Sequence, residues 1–271
     1  MTKSFNHIII LLSIIGAVSC GTTLENSYSS RGKTFGNDTI SVLKKTEKIK
    51  ILTIENYTYQ EFPNHVINKL TQLEEITIIS RKWGEILYNR NTEIDTLEIN
   101  ISGLDSLTQL NTINFSGFTF NSFPYELGLL ENLETLNIWL GGLQEFPEDL
   151  SGFKNLKTLR LSDNEIMRIS NSVVLPNTLK ELNISSNKLT HFPLEIIPEN
   201  LTKLDLSLNN FNLDKKIELI LYIMNKTKID KLIVDARSSE EMRKIKHLVD
   251  YKKFKKRIKI IKTPANITYS I

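Results

Sequence analysis

The chain has one cysteine in 271 residues, Cys20, and that excludes an internal disulfide and any thiolate metal cluster. Histidine is scarce too: His7, His65, His191 and His247 are scattered, with no spacing suited to a metal or to a nucleophile and its base. The apolar run Ile8 to Val18 has 11 residues, short of the roughly 20 that a spanning helix needs. No pair of carboxylates is singled out by spacing. Arg31–Thr34 ends like a phosphate-binding loop, but Ser27 stands where the earlier glycine belongs and no strand is expected before it. These absences leave no catalytic residue, metal ligand or cofactor site to nominate, and the chain is not expected to be an enzyme.

What the chain has in quantity is one phrase, repeated. Leu133–Ile138, Leu156–Leu161, Leu179–Ile184 and Leu201–Leu206 share the pattern LxxLxL, with first leucines 23, 23 and 22 residues apart. Three copies run on to an asparagine at one fixed place: Asn164, Asn187 and Asn209. A fixed period of this length signals a stack of like turns, since one such unit cannot bury its own apolar face. Within each copy the apolar residues alternate, the period of a strand with one face buried. Leu136/Ile138, Leu159/Leu161, Leu182/Ile184 and Leu204/Leu206 should therefore point inward. A second phrase follows some copies, as at Gln144–Leu150 and His191–Ile196. Its Phe-Pro predicts a core phenylalanine (Phe146, Phe192) and a short helix or 3₁₀ turn, because proline suits the first helical position.

The phrase LxxLxLxxN resembles the leucine-rich repeat family. That resemblance implies an α/β solenoid, a horseshoe with a parallel β-sheet on its concave side and short helices, 3₁₀ turns or loops on its convex side. It further implies that Asn164, Asn187 and Asn209 hydrogen-bond the backbone of neighbouring turns. Less regular copies begin at Ile49, Leu73, Ile94 and Leu110, and carry Tyr57, Arg81, Ser102 and Phe118 at the asparagine position, as the Leu133 copy carries Gly141. The Ile94 copy is short and lacks Phe-Pro, so a bare loop is expected behind it. A looser coil is expected in this half. We place the repeats at 40–211 and a last repeat with a helical C-terminal cap at 212–271. In the cap, Ile217, Ile220, Leu221 and Met224 should form one helical face, and Met242, Ile245, Leu248 and Val249 a second behind the capping box Ser238–Glu241. Strands are expected at Ile229–Val234 and Ile258–Ile261.

Ahead of the repeats, Lys3, the apolar run and Ala17–Cys20 read as a signal peptide over 1–19, and the small residues before Cys20 resemble the lipobox of bacterial lipoproteins. The resemblance implies lipid attachment at Cys20, anchoring to a membrane of the bacterial envelope (the outer membrane or cell surface in a Gram-negative cell), and a flexible tether over 20–39, rich in Ser, Thr, Gly and Asn. The repeat register then gives the residues that face outward from the sheet. One row is Thr53, Thr77, Glu98, Asn114, Asn137, Arg160, Asn183 and Asp205. The next is Glu55, Ile79, Asn100, Ser116, Trp139, Ser162, Ser185 and Ser207. The candidate ligand-binding residues are Asn114, Asn137, Trp139, Arg160, Ser162, Asn183 and Asp205, with Trp139 as anchor. The expected partner is a protein or polysaccharide rather than nucleic acid. The rival expectation is a structural envelope lipoprotein with no specific ligand. Net charge is +3, but 215–262 holds 16 Lys and Arg against 6 Asp and Glu. That basic stretch is either the solvated face of the cap or a contact for anionic lipid, polysaccharide or nucleic acid.

Overall fold

A computed structural model describes residues 27–29, 49–57, 59–62, 64–88, 92–100, 104–120 and 122–263. Cys20, the segment expected to be a signal peptide and Arg31–Thr34 lie outside the described residues. Ten strands form one parallel sheet: β1 (Ser27–Ser29), β2 (Ile51–Tyr57), β3 (Glu75–Ser80), β5 (Thr112–Ser116), β7 (Thr135–Trp139), β8 (Thr158–Arg160), β9 (Glu181–Asn183), β10 (Lys203–Asp205), β11 (Lys231–Ala236) and β12 (Ile258–Lys262). Between strands the chain crosses the back of the molecule and returns in the same direction, which is why every pairing is parallel. β1 falls within the stretch expected to be tether and pairs with β2.

Register puts the LxxLxL leucines in columns. Leu52, Ile76, Ile113, Leu136, Leu159, Leu182, Leu204, Leu232 and Ile258 are aligned across the sheet, and all are buried. A second column includes Ile54, Ile78, Phe115, Ile138, Leu161, Ile184 and Leu206. Each such side chain contributes about 1.5–3 kcal/mol by leaving water, and the columns join into one continuous core.

The expected asparagine ladder is present. Asn164 Oδ1 accepts from the Gly141 and Leu143 amides, and its amide group donates to Ile138 O (2.9 Å) and Ser162 O (3.2 Å). Asn187 accepts from Ile166 N and donates to Leu161 O; Asn209 accepts from Leu189 N and donates to Ile184 O. From Phe118 onward the residue before the asparagine position is left-handed: Gly117 (φ 76°), Leu140 (52°), Asp163 (55°), Ser186 (54°) and Leu208 (59°). The chain bends away from the sheet at these residues, and the freed backbone groups are those the asparagines satisfy.

The earlier half does this differently. Phe118 and Tyr57 stand at the asparagine position, both buried, with ring centroids 6.2 Å apart in an edge-on pair, and the Tyr57 hydroxyl donates to Glu61 O at 2.5 Å. Gly141 cannot be asparagine: a Cβ there would lie 2.8 Å from Ile138 Cγ2 and 2.9 Å from Phe118 O.

Several sequence expectations need correction. The Ile94 copy does not join the main sheet; β3 pairs directly with β5, Ile76 opposite Ile113. Its residues form β4 (Asp95–Thr96), which pairs with β6 (Phe118–Thr119) on the flank, and Glu98 bridges to Glu61. Only Leu97 of that copy is fully buried and Ile99 is partly so, too little apolar surface to fill both inward positions of a turn. Glu98 and Asn100 therefore leave the outward rows. A 3₁₀ turn, Leu104–Ser106, takes the place of the bare loop. Helical turns do follow Phe62, Phe123 and Phe192, namely α1 (Asn64–Ile67) and the 3₁₀ turns Tyr125–Leu129 and Leu194–Ile196. Behind Phe146 the chain instead stays extended, with Glu145 bridged to Arg168 and Asp149 to Val174.

The C-terminal unit comprises α3 (Leu213–Lys226), β11, α4 (Ser239–Leu248), α5 (Tyr251–Phe254) and β12. Ser238 caps α4 as the capping box suggests, and Asn212 caps α3 in the same way. β11 and β12 prolong the main sheet rather than ending it. On α3 the buried residues are Lys216, Leu219, Ile220, Ile223 and Met224, whereas Leu221 is exposed; on α4, Leu248 is exposed. The α3 face is rotated because it includes Lys216, whose ammonium reaches Asp235 (3.1 Å) and Glu241 (3.0 Å) in a buried cluster. A buried charge survives only with such partners.

Candidate binding surface

The outward side chains of the sheet stand in three aligned rows. One runs through Glu75, Thr112, Thr135, Thr158, Glu181 and Lys203. The middle row runs through Thr53, Thr77, Asn114, Asn137, Arg160, Asn183 and Asp205, and in the third Ser116 lies opposite Trp139. Strand register thus brings Asn114, Asn137, Trp139, Arg160, Asn183 and Asp205 onto one face, with Ser162 just past the end of β8 and half-buried.

Hydrogen bonds run along this face from turn to turn. Asn114 Nδ2 donates to Glu75 Oε1 (3.0 Å) and Thr77 Oγ1 (2.9 Å), and Asn137 Nδ2 donates to Asn114 Oδ1. Arg160 donates from Nη1 to Asn137 Oδ1 (3.3 Å) and from Nε to Glu181 Oε1 (2.9 Å), where Lys203 Nζ also arrives at 2.9 Å. Burial works against the charged Glu181 carboxylate, but Lys203 and Arg160 outweigh it and hold its pKa below the ordinary range. At Glu75 and Asp205 burial prevails and the pKa is raised, despite hydrogen bonds from Asn114 to the first and from Ser207 to the second. Arg160, expected from its register to face a ligand, does not extend a free guanidinium to solvent; two of its donors are already spent on the sheet.

Trp139 sits differently. Its indole N–H donates to Asp163 Oδ2 at 2.9 Å, and its ring meets that of Trp83 edge-on, 5.8 Å between centroids. These are the chain's only two tryptophans. Trp83 opens α2 (Trp83–Tyr88), in the insertion between β3 and β5, and its Cα lies 3.4 Å from where a Cβ on Gly117 would be. Gly117 is left-handed (φ 76°), which favours glycine, and a Cβ there would also press on Ser80 Cβ at 3.2 Å. Beside the pair, Trp83 Nε1 and Ser116 Oγ are buried with no hydrogen-bond partner. Unpaired buried polar atoms cost about 1–3 kcal/mol each, so the middle of the face is the least satisfied part of it. Trp83, Asp163 and Glu181 were not named from sequence. The lone signal was the abnormal 37-residue gap between Leu73 and Leu110, which contains Trp83.

No protein-family model matches the sequence, and no curated protein matches it either. Among solved structures, the chain is similar to TLR13 in its complex with ssRNA13, with a TM-score of 0.55 and 18% identity over 90% of this chain. It has the leucine-rich repeat fold. A leucine-rich repeat protein of Leptospira interrogans (21% identity, TM-score 0.44) is matched over 79% of this chain, and the LRIM1/APL1C complex (19% identity, TM-score 0.45) over 78%. The chain spans 32%, 62% and 35% of the three matched chains' own lengths. In this fold the sheet with the tryptophan pair is the concave face of the solenoid. Among the described residues no cluster of His, Cys, Asp or Glu could hold a metal, and no helix is long and apolar enough to cross a membrane.

Proposed function

We propose that this leucine-rich repeat chain is a non-enzymatic recognition scaffold that binds a protein or polysaccharide through the concave face, centred on Trp139. The observation that carries the reading is the meeting of the chain's two tryptophans there, beside two buried polar atoms without partners. A broad aromatic surface provides contact area at low entropic cost, and short neighbours such as Ser116 and Ser162 leave it accessible to a partner's backbone or hydroxyls. The scaffold is held on a membrane of the bacterial envelope through lipid at Cys20, which the sequence pattern before that residue supports. Nucleic acid is not the expected partner of this face.

The alternative, a bracing lipoprotein with no specific ligand, draws support from the middle row, where Asn114, Asn137 and Arg160 already satisfy one another. The two readings separate at Trp139. Capture of an envelope protein or glycan should weaken about thirtyfold in Trp139→Ala, and Trp139→Phe should keep part of it. Should the captured partner bind both variants as tightly as the parent chain, the concave-face reading fails. Metabolic labelling with a fatty acid should mark the parent chain and not Cys20→Ala; a parent chain without label rules out the anchor.

A further inference from the structure

The C-terminal unit carries a second surface that the concave face leaves unexplained. Arg243, Lys246, Lys252, Lys253, Lys255 and Lys256 crowd α4, α5 and the turn after it, all exposed, and none forms an ion pair among the described residues. The acids of the first turn of α4 are committed elsewhere, Glu240 to Lys244 and Glu241 to Lys216 and the Arg237 amide, so that Asp250, exposed between α4 and α5, stands against six cations. One member of the sequence cluster drops out. Arg257 is structural, its guanidinium donating to Met224 O, Thr227 O and Ile229 O at the end of α3.

We propose that this surface docks on an anionic phospholipid bilayer, independently of any lipid on Cys20. Two observations favour a membrane over a nucleic-acid strand. Leu248, the last residue of α4, is 54% exposed among the lysine-bearing turns, where a phosphate backbone has no use for it and an acyl layer does. The two rings of the patch are not open stacking platforms: Tyr251 and Phe254 are partly buried against the core, and each carries a lysine over one face, Lys246 Nζ 5.2 Å from the Tyr251 ring centre and Lys253 Nζ 4.8 Å from that of Phe254. Strand binders stack bases on open aromatic faces, whereas headgroups ask only for cations near the surface. Asp250, left-handed at φ 48°, makes the joint between α4 and α5 that sets both on this end of the molecule.

Each basic residue close to an anionic leaflet strengthens binding about fivefold. The test is partition of the full chain between phosphatidylcholine vesicles with and without phosphatidylglycerol, at low and high salt. Hydrophobic insertion by the N-terminal segment is common to both vesicle types and cancels in the ratio, and the lysine variant below separates the patch from that segment's own basic residues. The parent chain should prefer the anionic vesicles more than tenfold, and lose that preference at high salt. The variant with Lys252, Lys253, Lys255 and Lys256 all changed to Gln should lose it at any salt. Leu248→Ser should weaken anionic binding severalfold while keeping the salt dependence. These positions are exposed, so an unchanged melting curve certifies the fold. Equal partition of the parent chain, or a preference that survives the lysine changes, overturns the proposal. So does lysine-dependent binding to single-stranded RNA or heparin without preference for anionic vesicles.

Discussion

Between Leu133 and Asn209 the turns of the solenoid are tied by asparagine; between Ile51 and Phe118 they are tied by aromatic rings. The two solutions meet at Gly141, whose amide is bonded by Asn164 from one side and whose missing side chain makes room for Phe118 O on the other. An asparagine satisfies bent backbone with a few directed hydrogen bonds and needs a strict 22–23-residue turn to aim them. Packed rings are not directional, so they tolerate turns of uneven length. That tolerance is what admits the insertion carrying Trp83. The irregular half thus supplies one tryptophan of the central pair, and the regular half the rigid sheet beneath it.

The sharpest way to break the comparison is to empty the aromatic position. Phe118→Ala should cost about 3–5 kcal/mol in denaturant unfolding, while Leu182→Ala, which empties an inward strand position of the regular half, should cost about 2–5 kcal/mol. A Phe118 variant as stable as the parent would mean that rings do not hold that half. Asn187→Ala should lose about 1–3 kcal/mol by stranding the Ile166 amide and Leu161 O. Asn187→Asp keeps the acceptor for Ile166 and lacks the donor for Leu161, so it should not restore the loss. Extending the ladder backward with Gly141→Asn should also destabilise, by about 1–3 kcal/mol, because Ile138 and Phe118 occupy the space. A stabilised Gly141→Asn chain would show the two halves to be interchangeable.

Smaller effects follow at single polar atoms. Tyr57→Phe should cost about 1 kcal/mol at neutral pH for the bond to Glu61 O. Burial, with Tyr59 and Glu61 nearby, raises the Tyr57 pKa well above its ordinary 10.0. The unfolded chain then ionises first, so stability falls as pH rises beyond about 10, and Tyr57→Phe should flatten that fall in alkaline melting curves. Smallest is Asp205. Its pKa is raised by burial, so its contribution is present at acid pH and diminishes as pH climbs through the ordinary carboxylate range. Asp205→Asn should change stability by less than about 1 kcal/mol at pH 7, toward greater stability, with the difference vanishing in acid.

The inward columns, the asparagine ladder, the cap of α4 and most of the middle row of the concave face were legible because each rests on spacing along the chain. What failed did so where spacing says nothing. Ile94–Ile99 has the right phrase and the wrong place, since a turn also needs enough apolar surface to earn a position in the sheet. Phe146-Pro147 has the helix-opening dipeptide, yet the flanking bridges to Arg168 and Val174 keep it extended. Lys216 carries a charge that forbids burial until Asp235 and Glu241 come from later turns to meet it.

By itself the sequence determined the repeat, hence the solenoid, the parallel sheet and which residues of each strand face out, because a period of two within a period of 22–23 admits one stacking. Only the tertiary structure decided which turns count as sheet, that Trp83 reaches Trp139, that Arg160 is held by Glu181 and Asn137, and that Leu248 stays in water beside the lysines. Those outcomes depend on contacts between residues with no fixed separation along the chain, and no local pattern encodes them.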